Sequence, residues 1–290
     1  MILITGATGF IGRSLVQALE REGRGYRVYG GRVNDPLAIR AALEGVETVI
    51  HLAGAENRGR AHLLTHVDVE GTERLIEECE RAEVGRLIVV SRLNADPNAW
   101  YPLLRAKGEQ ERLVRNSEIP YTILRTGTLF GRDDRFLNVI AALAFWSWPF
   151  VWLPNGGRGA MQPLWVEDFV RCLTATVDRP DLVDKTIELA GEERLHYFEI
   201  VHHVLDTAGM RRYRIRPSVK LFRRMMIIMS RLWRRPPVNR FFLDRFSVPE
   251  VAPLDSVLRH FGFHPVHMNQ QTAYLRRLGW RRKLFRFDSG

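Results

Sequence analysis

Cysteine and lysine are the two scarce residues in this chain. Only Cys79 and Cys172 occur in 290 residues. They form no metal or redox spacing, so no metal site is expected and a reducing compartment is. Of 43 basic residues, only Lys107, Lys185, Lys220 and Lys283 are lysines; the rest are arginines. There is no internal repeat and no low-complexity linker. The chain opens directly on strand-like MILITG, so a secretory leader is not expected.

Acidic residues are scarce in one region alone. Residues 211–290 hold 4 acids against 19 bases, whereas residues 1–210 hold 29 acids against 24 bases. The formal net charge of +10 therefore belongs to the C-terminal quarter. Such a tail favours an anionic partner, nucleic acid or a lipid surface. At 46% hydrophobic, the chain has enough apolar material for a large core.

Strand-like and helix-like segments alternate along the first half. Strands are expected at 1–5, 26–29, 46–52, 86–91 and 121–125, and helices at 13–22, 35–43, 67–81 and 102–116. Pro102 suits the first position of its helix. This alternation predicts an α/β fold with a Rossmann-type doubly wound parallel sheet. The pieces YRVY and GRV meet with almost nothing between them, so the second strand and its connection read as compressed.

Gly6-Ala7-Thr8-Gly9-Phe10-Ile11-Gly12 lies directly after a strand and before a helix. Glycines there permit a tight turn and a close approach of backbone N–H groups to a pyrophosphate, and the helix N-terminus adds partial positive charge. The pattern predicts a dinucleotide site. After the second strand an acid usually binds the ribose of NAD, whereas an arginine suits the 2′-phosphate of NADP. Here Arg32 follows and no acid does, and Arg13 lies just past the loop. NADP(H) is therefore preferred over NAD(H), with a solvated surface role for both arginines as the alternative.

The TGATGFIG start, the HLAG strand end, the segment VDVEGTERLIEECERAEVGRLIVVS, LRTGTLFG and QPLWVEDFVRCL together resemble the atypical or extended short-chain dehydrogenase/reductase superfamily. KTIELAGEERLHYFEIVHHVL and the C-terminal RFFLDRFSVPEVAPLDSVLRHFGFHPVHMNQQTAYL resemble the branch that includes the NADPH-binding accessory subunit of respiratory complex I and NAD-dependent epimerase/dehydratase-like proteins. The resemblance implies a Rossmann domain over 1–200, with 130–160 contributing to the substrate side, and a small α-rich basic lobe over 201–290. It gives Gly6, Thr8, Gly9, Phe10, Ile11 and Gly12 to the pyrophosphate loop. Leu52, Ala53 and Gly54 form the wall past the family's fourth strand. Ser91 matches the serine ending the fifth, and Lys107 the lysine that holds the nicotinamide ribose. Thr126 and Gly127 match the loop beside the nicotinamide. Asp68 stands where asparagine is frequent, and Arg32 where aspartate is.

The catalytic tyrosine of that family lies four residues before its lysine, sharing a helix face with it. A tyrosine with an ordinary pKa of about 10 is brought toward the working range by that neighbouring charge. Here that position is Leu103. Tyr101 is two residues early and precedes Pro102, so it is expected at or before the helix start. Coenzyme binding through Lys107 is expected to survive while standard proton transfer does not. His196, Tyr197 and Asp168 are the alternative acids, although Asp168 reads better as a helix-start residue satisfying backbone N–H groups.

Residues 136–154, FLNVIAALAFWSWPFVWLP, carry no charge and three tryptophans. Pro149 should end a helix near Trp148, too short for the roughly 20 apolar residues of a membrane span. The segment could be a core helix, a lid, or an interfacial element. Residues 220–235, KLFRRMMIIMSRLWRR, place their bases in one arc of about 120° opposite an apolar face. That pattern suits an ordinary docked helix or a helix lying on anionic lipid. Basic–aromatic RRLGWRRKLFRF follows near the end, and no nucleic-acid module is present, so a membrane surface is preferred to nucleic acid.

Two functions lead, ahead of a third, a nucleotide-regulated nucleic-acid or protein binder. The first is a membrane-peripheral NAD(P)(H)-binding protein, on the cytoplasmic face of the cell membrane, with a structural, assembly or sensing role and a protein complex as a further partner. The second is an NADPH-dependent oxidoreductase acting on a quinone, isoprenoid or lipid.

Overall fold

A computed structural model describes residues 1–33, 35–218, 221, 224, 241 and 248–276. The basic helix expected over 220–235 and the terminal RRLGWRRKLFRF lie outside the described residues. The chain forms two compact units: Met1–Thr126 with Phe169–Leu189, and Gly127–Asp168 with Ala190–Gly290.

The first unit is built on strands β1 (Ile2–Thr5), β2 (Tyr26–Tyr29), β3 (Thr48–His51), β4 (Arg86–Arg92), β5 (Tyr121–Thr126) and a later strand, Lys185–Leu189. They make one six-stranded, wholly parallel sheet in the order β2-β1-β3-β4-β5 and then Lys185–Leu189. Leu3, Ile4, Val49, Ile50, Leu87, Ile88, Ile123 and Leu124 are fully buried. Such near-continuous apolar runs are what a sheet covered on both faces requires.

The connecting helices are α1 (Phe10–Arg21), α2 (Pro36–Leu43), α3 (Ala61–Leu64), α4 (Glu70–Arg81) and α5 (Pro102–Arg115). Asp35 caps α2 by accepting the Ala38 N–H. The compressed stretch after β2 has a topological meaning. Helix α2 carries the chain straight to β3, which pairs with β1 on the side away from β2. The GRV piece forms no strand. The wall residues Leu52-Ala53-Gly54 therefore follow the third strand in chain order. The strand order reverses between β1 and β3, which opens a crevice at their C-terminal ends.

The helix expected from residue 67 departs from expectation. Thr65–Val69 forms a π turn that joins α3 to α4. Wide turns of this kind occur mostly as single insertions in α-helices.

In the second unit, α6 (Leu137–Trp146) is buried over most of its circumference. It packs with Phe136, Tyr197, Ile200, Val204 and Leu275. Of the three readings of this stretch, the core helix describes α6. It ends at Trp146, with Ser147 as its C-cap, two residues before the expected end. A short parallel pair, Phe150–Trp152 with Tyr213–Ile215, lies in the same unit, as does helix α8 (Tyr197–Thr207), which follows α7 (Val166–Val177) in the chain. No helix among the described residues is long and apolar enough to cross a membrane.

Candidate functional site

The polar residues of the parallel sheet gather at the C-terminal ends of its strands. Thr5 ends β1, His51 ends β3, Ser91 and Arg92 end β4, and Thr126 ends β5. The chain must turn there, and the register brings the ends together: Thr5 beside His51, and Arg92 beside Thr126.

The loop after β1 is sterically determined. Gly6 has φ +72, a left-handed conformation that L side chains rarely adopt. A Cβ there would lie 2.7 Å from the Ala53 nitrogen and 2.8 Å from the Leu52 oxygen. A Cβ on Gly12 would lie 2.4 Å from the Gly6 oxygen. Gly6 therefore lets the loop press against Leu52-Ala53, and Gly12 lets α1 press against the loop. The Gly9 N–H donates to the Gly6 oxygen at 3.0 Å. Gly9 is also the N-cap of α1, with no side-chain cap and no acid in the first turn. The first N–H groups of α1 have no partner within the helix, and Gly9, Phe10 and Ile11 are only half-buried. Exposed Thr8 offers its carbonyl to the Arg13 guanidinium at 2.6 Å. An anionic group fits this N-terminus.

Behind the loop runs a buried chain of hydrogen bonds. Lys107 Nζ lies 2.9 Å from Asp68 Oδ1 and donates to Gln110 Oε1, also at 2.9 Å. Gln110 Nε2 donates to Thr72 Oγ at 2.8 Å, and Thr72 Oγ donates to the Asp68 carbonyl at 2.7 Å. His51 Nε2 lies 3.1 Å from the same hydroxyl, and Thr5 Oγ lies 2.7 Å from His51 Nδ1. These partners fix the protons. The Thr72 hydroxyl has one proton, already given to Asp68, so His51 must donate from Nε2 and accept Thr5 O–H at Nδ1. His51 is neutral, pushed down to about 3 by burial and secondarily by the Lys107 charge. The other Asp68 oxygen accepts the Ala55 N–H at 2.9 Å.

Lys107 is 7% exposed. Its ammonium has three protons; one is donated to Gln110, while Asp68 Oδ1 is an ion-pair contact that accepts no hydrogen bond among the described residues. The π turn places Asp68 on the interior face one turn before Thr72. A Cβ on Gly54 would lie 3.0 Å from Asp68 Oδ1 and 3.6 Å from Lys107 Nζ. Glycine at position 54 leaves the approach to this pair open.

Leu103, one helical turn before Lys107, is 3% exposed. Tyr101 is the N-cap of α5, with extended backbone (φ −82, ψ 125). Its carbonyl accepts the Arg105 N–H, so it stands outside the helix proper.

Ser91 has a different partner. Its hydroxyl donates to Glu111 Oε1 at 2.6 Å. Glu111 is wholly buried and also receives Arg125 at 2.9 and 2.7 Å and Arg115 at 2.6 Å. The serine is thus tied into a carboxylate–guanidinium hub. Thr126 Oγ is buried without a hydrogen-bond partner among the described residues. Gly127 follows it where the chain passes into the second unit. Arg32 is exposed; its carbonyl accepts Tyr29 O–H and Asp35 N–H.

The alternative acids lie in the second unit. Tyr197 is buried in its core, and burial raises its phenol far above the acid–base range. His196 is the N-cap of α8, where the Glu199 carboxylate accepts its N–H at 2.7 Å. Asp168 does accept a backbone N–H, at 2.7 Å, but from distant Val266.

Gln110 and Glu111 were legible as neighbours of Lys107, at i+3 and i+4 on its helix face. Thr72 and His51 carried a weaker signal, as polar residues within apolar elements.

A family model described as NAD(P)H-binding matches residues 20–140. Alpha subcomplex subunit 9 of mouse mitochondrial NADH dehydrogenase (ubiquinone) is 32% identical over 225 residues, covering 69% of this chain and 59% of that protein. The chain thus spans under two thirds of that relative's length. The 40 kDa subunit of Neurospora crassa mitochondrial NADH-ubiquinone oxidoreductase is 25% identical over 306 residues, covering 93% of this chain and 80% of that protein. Two solved structures share the fold. MoeE5 with UDP-glucuronic acid and NAD has a TM-score of 0.75 at 21% identity, covering 97% of this chain and 99% of its own. UDP-glucose 4-epimerase from Thermotoga maritima has a TM-score of 0.74 at 16% identity, covering 98% and 99%.

Proposed function

Because the chain belongs to the atypical short-chain dehydrogenase/reductase superfamily, near the accessory subunit of respiratory complex I, we propose that it is a membrane-peripheral NAD(P)(H)-binding protein in which coenzyme serves structure, assembly or sensing. One observation carries this reading. The residue one turn before Lys107 is the buried, proton-free Leu103, while Lys107 itself is kept in place by Asp68 and Gln110. The glycine loop and Lys107 support a dinucleotide site, and position 103 offers no proton to pass.

The pyrophosphate would lie at the N-terminus of α1, on the backbone N–H groups that follow Gly9. Lys107, with one proton donated to Gln110, would give the others to ribose hydroxyls. Thr126 Oγ supports the reading as a buried hydroxyl still lacking a partner. Bound nicotinamide supplies hydride chemistry; what this chain lacks at the usual place is the proton donor that such chemistry needs. Exposed Arg32, with Arg13 beside the loop, supports NADP(H) over NAD(H).

A protein complex as partner is supported by the relatives, which are named as subunits of NADH dehydrogenases. A lipid surface is supported by the arginine-rich C-terminal quarter.

The test is a coenzyme titration followed by a turnover assay. NADPH should bind, more tightly than NADH, and remain reduced when prenylated quinone or carbonyl substrates are added. Steady oxidation of NADPH that Lys107→Met abolishes would overturn the non-catalytic reading. Failure to bind either coenzyme would overturn the whole of it.

A further inference from the structure

The tip of the second unit carries large aromatics in the open. Trp146 is 48% exposed, Trp148 72%, Phe150 40% and Tyr213 73%. They belong to one local structure. Helix α6 ends at Trp146, and the chain turns through Ser147, whose hydroxyl donates to the Phe150 carbonyl at 2.6 Å. Phe150 then pairs in register with Tyr213, whose N–H donates to the Pro149 carbonyl at 2.8 Å. Val151 is buried in the same strand, so alternation turns Phe150 outward. The knuckle is anchored from below: α6 is core, and Arg212 Nε donates to the Ala144 carbonyl at 2.6 Å. These rings are carried on hydrogen-bonded backbone that is joined to the core helix.

The charges that flank Tyr213 in the chain are basic: Arg211, Arg214 and Arg216 are all exposed. Arg214 touches His202, which lies 3.5 Å from Asp206, so one acid lies within that network. The C-terminal quarter as a whole carries 19 bases against 4 acids. Tryptophan and tyrosine combine an apolar body with a polar tip and suit a boundary that is dry on one side and wet on the other. Arginines beside them suit phosphate-bearing headgroups. A second copy of the chain would meet this face with the same positive charge, which disfavours self-association here.

The geometry points to the Trp146–Trp148–Phe150–Tyr213 knuckle as the element that inserts into the headgroup layer of an anionic bilayer, with Arg211 and Arg214 on lipid phosphates. This rests on the membrane-peripheral reading and assigns it a contact made by residues of the second unit other than the basic stretch over 220–235.

The full-length protein would be floated with phosphatidylcholine vesicles, with and without phosphatidylglycerol. The wild type should float only with the anionic lipid, in a salt-sensitive way, and brominated lipid should quench part of its tryptophan emission. Trp146→Ser with Trp148→Ser should lower vesicle affinity by about tenfold or more and remove most of that quenching. Trp148 is 72% exposed, so Trp148→Ser alone should leave the thermal midpoint unchanged and still lower affinity and quenching, whereas replacing Trp146, half-buried and edge-on to Phe145, should lower the midpoint. Arg211→Glu with Arg214→Glu should weaken binding chiefly at low salt. If the double tryptophan variant floats and is quenched like the wild type while Arg223→Glu with Arg224→Glu does not float, the knuckle has no role and the membrane reading stands. If the wild type floats with neither vesicle, or binds duplex DNA in preference to anionic vesicles, both are overturned.

Discussion

Asp68 and Lys107 form a buried ion pair of 2.9 Å, made by a carboxylate on a π turn and an ammonium on α5. The pair places a negative charge where the resemblance leads one to expect a neutral amide. It sets two effects against each other. The carboxylate neutralises a buried cation, and it sets a negative charge where an anionic ligand would approach.

Asp68→Asn should therefore separate stability from binding. The unpaired ammonium should cost about 3 kcal/mol, seen as a lower urea midpoint. Coenzyme affinity should hold or rise, because a negative charge near an anionic ligand has gone. Lys107→Met should reduce affinity by at least about tenfold, a loss of one charge-assisted hydrogen bond. Isothermal titration of both variants with NADPH checks the pair.

Gly12→Ala should abolish coenzyme binding more completely than its size suggests. The added Cβ would lie 2.4 Å from the Gly6 oxygen and 2.5 Å from the Ala7 Cα, so α1 must retreat from the loop. Fluorescence titration should show no saturable NADPH binding, with a far-UV circular dichroism spectrum close to the wild type.

His51 makes stability depend on acid. Its folded pKa, about 3, lies below the ordinary value of 6.5, so the unfolded chain binds the extra proton. The stabilising contribution is complete above about pH 6.5 and is lost as pH falls from there toward 3, by at most about 1.4 kcal/mol per unit. His51→Gln should lower stability at pH 8 and show a flatter decline between pH 6.5 and 4 in urea unfolding.

Glu111 holds Ser91, Arg115 and Arg125 together. Glu111→Ala should cost about 3 kcal/mol by leaving guanidinium groups half-buried without their carboxylate. Ser91→Ala should cost less, about 2 kcal/mol, one hydrogen bond to a charged group. Thermal unfolding of the two variants distinguishes this supporting role for Ser91 from one exercised on a ligand.

Cys79 is buried, and its thiol is pushed up to about 12, by burial first and by Glu80 and Glu78 second. Neither cysteine should react with a thiol reagent in the native protein at neutral pH, and both should react in denaturant. Fast labelling of the native protein would contradict this.

The sequence by itself determined the alternation of strand and helix, the glycine loop, the start of α5 at Pro102 and the loss of the phenol before Lys107. Each depends on residues close in the chain, through periodicity, a required positive φ or a fixed helical spacing. It left open what the 136–154 stretch would become, since an apolar run reads alike in a core and at an interface. Only the tertiary structure decided that α6 is core while the rings just beyond it stand exposed, because that depends on which surfaces distant segments cover. The same holds for Asp68, His51 and Glu111. Their partners lie 39 residues (Lys107), 46 residues (Thr5) and 20 residues (Ser91) away, and only the sheet register and the π turn bring those atoms within hydrogen-bond reach.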